Sequence, residues 1–367
     1  MKPDLIFDPE STVRKLRLFL VSLLSIFLFT ETYSQSGGNG VYEFLNMPNS
    51  ARIAALGGNF ITVNDDDITV SLANPSLITD KMNNSLGLSF VDYYSDINYG
   101  FAQYGRSFNK LGTFVGTLQF INYGTFTEAD AAGVRYGEFT AGEYALNIGW
   151  GRWLTPKFSI GSNLKFIYSG LESYNSFGLG VDIAGSYHNE ESDFTASLIA
   201  RNIGFQVVPY GNSPREPIPF EIQAGFSKGL KHLPFTFSVL FTHLEKWDLR
   251  YDDPDNPRGG TDPITGLPNE VSGIEKFADN LMRHLVFGGE LKLAKVLTLR
   301  ASYNYLRRQE MKVPSKLSTV GFSWGFGIRI SKFHISYARS AYHLVGSPNY
   351  FTLTFNLSEF SKKKETD

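Results

Sequence analysis

Cysteine is absent from all 367 residues. Disulfides, thiolate metal sites and a lipid-modified N-terminal cysteine are therefore excluded. A chain exported through an oxidising compartment suits that composition. Charge of one sign is also lacking. Lys and Arg number 34 against 36 Asp and Glu, so no nucleic-acid footprint exists and no nucleic-acid partner is expected. Past residue 30 no apolar run approaches the ~18 residues of a membrane-spanning helix. No fixed repeat of roughly 20–50 residues is visible, which argues against a solenoid. The six histidines (His188, His232, His243, His284, His334, His343) are scattered and form no H-E-x-x-H. We expect no metal, no cofactor and no enzymatic activity, because no nucleophile stands beside a base.

What is present points to β structure. Aromatic residues make up 15%, with 31 Phe and 19 Tyr, and glycine numbers 35. Such a composition without helix-forming runs is that of strands. Mean hydropathy is slightly negative at -0.15. A membrane barrel has this property, because only alternate residues of each strand face lipid.

The first segment reads as a targeting signal. Arg14, Lys15 and Arg17 precede the apolar run Leu18 to Phe29, and Thr32, Tyr33, Ser34 and Gln35 follow. A basic region, an apolar core and small or polar residues are the parts of a cleaved signal peptide. The run is about 12 residues, too short for a membrane anchor, which needs roughly 20. Residues 1–13 form a polar extension and point to a start further along the chain. We assign 1–34 to the extension and signal, 35–84 to a periplasmic or plug segment, 85–358 to the barrel and 359–367 to a periplasmic tail. The tail's Lys362, Lys363, Lys364 and Glu365 read as an ordinary solvated terminus.

From about residue 85 the sequence alternates with period two. Leu297, Leu299, Ala301, Tyr303 and Tyr305 share one face, with Thr298, Arg300, Ser302 and Asn304 opposite. Phe322, Trp324, Phe326, Ile328 and Ile330 oppose Gly321, Ser323, Gly325, Gly327 and Arg329, and Phe177 to Ile183 and Phe220 to Phe226 repeat the pattern. About fourteen such segments occur: 85–92, 97–107, 111–123, 138–153, 157–169, 175–188, 193–203, 219–228, 234–244, 281–293, 295–306, 315–330, 332–342 and 349–358. The predicted fold is an all-β, antiparallel transmembrane barrel of about 14 strands. Connections test the count. With both barrel ends periplasmic, those at 108–110, 154–156, 189–192, 229–233, 294 and 331 should be short turns, and they are. The long ones, 124–137, 204–218, 245–280, 307–314 and 343–348, fall on the other side. A soluble β-sandwich is the alternative, but sandwich cores rarely use so many Phe and Tyr. Small lumen-facing residues such as Ala145, Gly149, Ser159 and Gly161 leave room for a plug, a ligand or water.

Chemical motifs are weak. Two G-x-S-x-G matches occur, at Gly225, Ser227, Gly229 and at Gly321, Ser323, Gly325. A nucleophile elbow needs a strand, a turn and a helix, and neither has that context. Both read as small lumen positions. The acidic loop Asp252, Asp253, Asp255 lacks EF-hand spacing and reads as solvated. The connection 245–280 is nevertheless the longest, and long loops in compact folds are usually functional or disordered. We take Trp247, Arg250, Tyr251, Asp252, Asp253, Asp255 and Arg258 as a candidate partner-binding loop, and Glu270 to Arg283 as a short helix at the barrel mouth. Asp65, Asp66, Asp67, Asn74 and Pro75 form a candidate plug motif.

That N-terminal segment also carries a resemblance. Tyr42-Glu43-Phe44-Leu45, Ser50-Ala51-Arg52, Ala54-Ala55-Leu56-Gly57-Gly58, Asp65-Asp66-Asp67 and Asn74-Pro75-Ser76-Leu77 resemble the start of the PorV/PorQ family. Arg283-His284-Leu285, Phe287-Gly288 and Glu290 are similar too. The family comprises outer-membrane barrels of the type IX secretion system in Bacteroidetes. The paired glycines and the Tyr-x-Phe-Leu opening look closer to PorQ. The resemblance implies a FadL-like barrel of fourteen strands, integral to the cell outer membrane. It implies a role in protein export, with a PorZ-like surface protein of the attachment complex, and other secretion components, as partners beside membrane lipid. The alternative is a FadL-like transporter of hydrophobic small molecules.

Overall fold

The computed structural model describes residues 40–63, 65–250, 271–293, 296–313, 316, 318–343 and 346–361. Fourteen strands close into one antiparallel barrel: β1 Ser85–Asp92, β2 Asn98–Phe108, β3 Gly112–Ala129, β4 Arg135–Trp153, β5 Phe158–Leu171, β6 Tyr174–Asn189, β7 Phe194–Val208, β8 Glu221–Gly229, β9 Phe235–Phe241, β10 Leu285–Lys292, β11 Leu297–Asn304, β12 Phe322–Ile330, β13 Phe333–Ser340 and β14 Asn349–Asn356. Each strand pairs with its sequence neighbours. The seam is β1 on β14, registered Ser85 opposite Asn356 through Asp92 opposite Asn349. Closure leaves no open sheet edge, which is what a β wall needs where no water is available.

Alternation sets the two faces. Along β4, Tyr144, Leu146 and Ile148 point outward and are 53, 43 and 41% exposed, while Ala145 and Asn147 between them are buried. The outer surface is apolar and the inner surface carries Gln103, Thr117, Gln119, Asn163, Lys165, Asp182 and Arg300. This is the reverse of a water-soluble protein and marks a wall solvated by lipid. Aromatic contacts gather at two levels. Phe108–Phe114, Phe158–Tyr187, Phe194–Phe226 and Phe333–Phe355 ring the short-turn end. Tyr144–Tyr168, Trp324–Tyr337 and Tyr303–Phe322 lie nearer the other end. Paired girdles at the two interfaces are characteristic of outer-membrane barrels.

Several boundaries differ from expectation. The connection 124–137 is largely strand: β3 and β4 continue as a hairpin past Gly124, where the register shifts, with Phe126 stacked on Phe139. Strand β10 begins at Leu285, because the helix α3 (Gly273–Arg283) occupies what reads as its start. Strand β11 stops at Asn304 because a helix, α4 (Tyr305–Met311), follows, its first turn capped by the Asn304 side chain accepting from Arg307 N at 3.0 Å. Strand β9 stops at Phe241, since His243 takes φ 54° and breaks the ladder. The wall is consequently uneven. Strands β3 to β7 run 14 to 19 residues, and β8 to β14 only 7 to 9.

Residues 40–84 occupy the lumen. Val41 N donates to Pro217 O, in the connection between β7 and β8 at the long-loop end. The chain then runs down to Asn84, whose N donates to Gly105 O near the short-turn end of β2. On the way it forms α1 (Ala51–Ala55) and α2 (Val70–Ala73). The helix α1 starts at Ser50, whose Oγ accepts from Ile53 N at 3.3 Å, and stops at Gly57-Gly58, both at φ near +100°. Only glycine adopts that conformation at little cost. Val41, Tyr42, Phe44 and Leu45 pack on Tyr99, Phe101, Ile121, Ile167 and Tyr350 of the wall. Ile53, Leu56, Ile68, Leu77, Ile78 and Met82 form a second cluster. The lumen thus holds the protein's own chain, and small wall residues such as Gly161 make room for it.

Candidate functional site: the plugged lumen and its rim

The centre of the plug is an ion-pair network. Arg52 of α1 is buried, and Nη1 lies 2.7 Å from Asp65 and 3.1 Å from Asp67. Its Nη2 lies 3.0 Å from Glu290 of β10, which also meets Arg300 of β11 at 2.7 Å. The network therefore ties the plug to itself and to two wall strands. A buried charge is tolerated only when paired and hydrogen-bonded, and each member here supplies that for the others. Asp67 also folds the plug locally, accepting from Thr69 N at 3.0 Å and Thr69 Oγ1 at 2.8 Å. Asp66 faces Arg329 at the short-turn end, 3.6 Å away and exposed.

Asn74 and Pro75 form the second tie. Asn74 Oδ1 accepts from Ser76 N at 2.9 Å and Ser76 Oγ at 2.7 Å, while Nδ2 donates to Ile61 O at 2.7 Å. Ser76 Oγ also bonds Ser186 of β6 at 2.6 Å. Pro75 opens a single 3₁₀ turn, and its backbone lies against Gly161 of β5 so closely that any Cβ there would collide with it. All five residues of the candidate plug motif thus lie in the lumen segment, and four of them bond to its fold or to the wall.

A third tie is centred in the wall and reaches the plug at one point. Lys165 Nζ contacts Asp182 at 2.9 Å and donates to Asn202 Oδ1 at 2.7 Å. Asp182 sits opposite a bulge in β7, where Asn202 takes φ 55° and donates its backbone N to Asp182 Oδ1 at 2.8 Å. Asn202 Nδ2 reaches Asn46 of the plug at 2.9 Å. Sequence reasoning missed this group. The one available signal was a Lys and an Asp on lumen positions of neighbouring strands.

Beside Arg52 a polar cavity of about 80 Å³ is lined by Asp65, His188, Asp193, Glu290 and Lys292. That is well below the ~300 Å³ of small-molecule sites. The serines of the two G-x-S-x-G matches are lumen residues: Ser227 Oγ donates to Thr62 O at 3.0 Å, and Ser323 accepts from Arg307 Nη1 at 3.3 Å. Among the described residues no group of His, Asp and Glu is arranged to hold a metal.

The rim beside β9 and β10 is the other ordered feature. Trp247 stacks on His284 with ring centroids 5.5 Å apart and packs on Phe277 of α3. Its carbonyl accepts from His284 Nε2 at 3.0 Å and from the Asn280 amide. Arg250 bonds Asp248 at 2.8 Å, and this holds the Asp248 carboxyl down at about 2. His243 is pulled down by burial, but the Glu245 and Glu221 carboxylates outweigh this and raise it to about 9. Of the candidate partner-binding loop, Trp247 and Arg250 are therefore on the rim. Tyr251, Asp252, Asp253, Asp255 and Arg258 lie outside the described residues, as do 1–34 with the signal segment and the basic tail. The predicted mouth helix is α3.

No family model and no curated protein matches this chain. Among solved structures, it is similar to the toluene transporter TodX of Pseudomonas putida, at 12% identity and a TM-score of 0.49, covering 84% of this chain and 96% of that one. It is similar also to a FadL homologue of Pseudomonas aeruginosa, at 11% identity and TM-score 0.45, covering 84% and 98%. LpxR of Salmonella typhimurium follows at 12% identity and TM-score 0.32, covering 74% and 99%.

Proposed function

We propose that this protein is a plugged outer-membrane barrel that serves type IX protein secretion as a non-enzymatic structural component, holding a surface partner at its long-loop end. One observation carries the reading. The residues on which the family resemblance rests, from Tyr42 to Leu77 with Glu290, are the ones that fasten the lumen plug, through Arg52 to Asp67 and Glu290 and through Asn74 to Ser76. A motif set that converges on one physical device supports a shared family architecture. A lumen filled by α1, α2 and their flanks suits a scaffold better than an open pore.

A second reading, transport of hydrophobic small molecules, is favoured by the apolar and aromatic cluster of the upper lumen, including Phe44, Tyr99, Phe101 and Tyr350. TodX is a toluene transporter, but at such an identity and score it lends neither reading weight.

A clean deletion separates the two. Mass spectrometry of culture supernatant and cell surface should show proteins with C-terminal secretion signals lost or mislocalised, with normal fatty-acid uptake. Normal secretion with reduced uptake would replace the first reading by the second.

A further inference from the structure

The helix α3 is built the opposite way from a helix of a soluble protein. Ile274, Phe277, Ala278 and Leu281 fall within an arc of about 100° on a 3.6-residue repeat. Ile274 and Phe277 are 83 and 56% exposed, and Leu281 is exposed with them. Away from that arc, Asn280 and Arg283 are polar and buried, while Glu275 and Lys276 are exposed. Asn280 accepts from Leu249 N at 2.9 Å and donates to the Trp247 carbonyl, and Arg283 bonds Asp279 at 2.9 Å and Leu249 O at 3.4 Å. The polar side fastens α3 to the rim and the apolar side points away from it. The exposed ring of Trp247 widens the apolar face by packing on Phe277.

Continuity says what covers this face. Only His284 separates α3 from β10, and the apolar line Ile274, Phe277, Leu281 passes into Leu285 and Phe287, which point outward on β10. On the adjacent side, Leu244 N donates to Ile222 O of β8, and Leu244 and Phe220 expose their side chains beside the outward Ile222. The face is therefore an upward extension of the belt that lipid already covers. A short amphipathic helix with Trp at its apolar border is the composition of a segment lying at a membrane boundary.

We infer that α3 and Trp247 lie in the outer-leaflet boundary of the membrane, with the apolar face of α3 seated among lipid acyl chains. The inference rests on the barrel's being a membrane protein and is independent of the secretion role.

The absence of cysteine makes the test direct. Single variants Ile274→Cys, Phe277→Cys and Lys276→Cys, with Phe287→Cys as the belt control, are labelled with bimane. Each is reconstituted into dioleoylphosphatidylcholine vesicles and into vesicles of the same lipid brominated on its chains. Heat-modifiable migration on gels confirms a folded barrel, and Ile274 is exposed enough to be replaced without loss of packing. The bimane emission of Ile274→Cys and Phe277→Cys should fall by about two-fold or more in brominated lipid, as at Phe287→Cys, with Lys276→Cys little changed. Quenching at 274 and 277 no stronger than at 276, with Phe287→Cys still quenched, would overturn the inference and reserve this face for a protein partner. Failure of quenching at Phe287→Cys as well would instead remove the membrane reading on which it rests.

Discussion

At the residue scale the protein depends on a few buried charges. Arg52 answers Asp65, Asp67 and Glu290 at once. Removing one partner of a buried ion pair costs about 3–5 kcal/mol, because the remaining charges stay buried without compensation. Arg52→Ala should therefore loosen the plug while leaving the wall intact. In planar bilayers we expect ion conductance well above wild type, with unchanged heat-modifiability, and wild-type conductance would show that the network does not hold the plug. At Gly161 the argument is steric. Gly161→Val puts atoms where the Pro75 backbone lies, so the turn at Asn74 should lift from the wall. Higher protease sensitivity of the 41–84 segment in detergent-solubilised barrels would report it. His243 gives a pH prediction. Its folded value, raised to about 9 by Glu245 and Glu221, lies above the ordinary ~6.5. The stabilisation it brings to the rim is thus complete below about 6.5 and is lost as pH rises through about 9. The imidazole resonances of His243 should titrate near 9. A midpoint near 6.5 would show that the carboxylates do not act on it.

At the element scale, each strand is specified twice, by alternation along it and by its partners across it. The outward residues carry the lipid face, and the inward ones fit both the plug and one another, as Glu290 does with Arg52 and Arg300. The strands β8 to β14 are short, and α3 and α4 stand where the wall is low. The plug itself has little helix: α1 has five residues and α2 four. Helices that short are not stable alone, so the segment takes its shape from the wall. Deleting 41–84 should consequently leave a closed barrel, still heat-modifiable, with a large conductance. Loss of folding on that deletion would show that the plug templates the wall.

For the whole molecule, the closed sheet and its lipid belt supply rigidity, and residues 40–84 pack inside the lumen. The surfaces left for recognition are the long-loop rim and the short-turn end, where turns such as 331–332 leave little chain to grip. A surface partner would thus engage the rim, and the deletion phenotype proposed above is the test at this scale.

Period-two alternation and the sorting of short and long connections determined the barrel and its strand number near fourteen, because lipid and lumen impose opposite chemistry on alternate residues. The segment carrying Asp65, Asp66, Asp67, Asn74 and Pro75 was legible as lying in or under the barrel rather than in its wall, since residues 41–84 carry too few alternating segments. Tertiary structure alone decided the rest. The partners of Arg52 include Glu290, 238 positions away, and no local pattern encodes that meeting. The threading of 40–84 down the lumen from the long-loop end follows from which wall atoms its backbone and side chains meet. The helix α3 was readable as a short helix at the barrel mouth, but the outward aim of its apolar side depends on Asn280 and Arg283 finding Leu249 and Trp247 on the rim. Periodicity fixes which residues share a face, and only the packed chain fixes what that face meets.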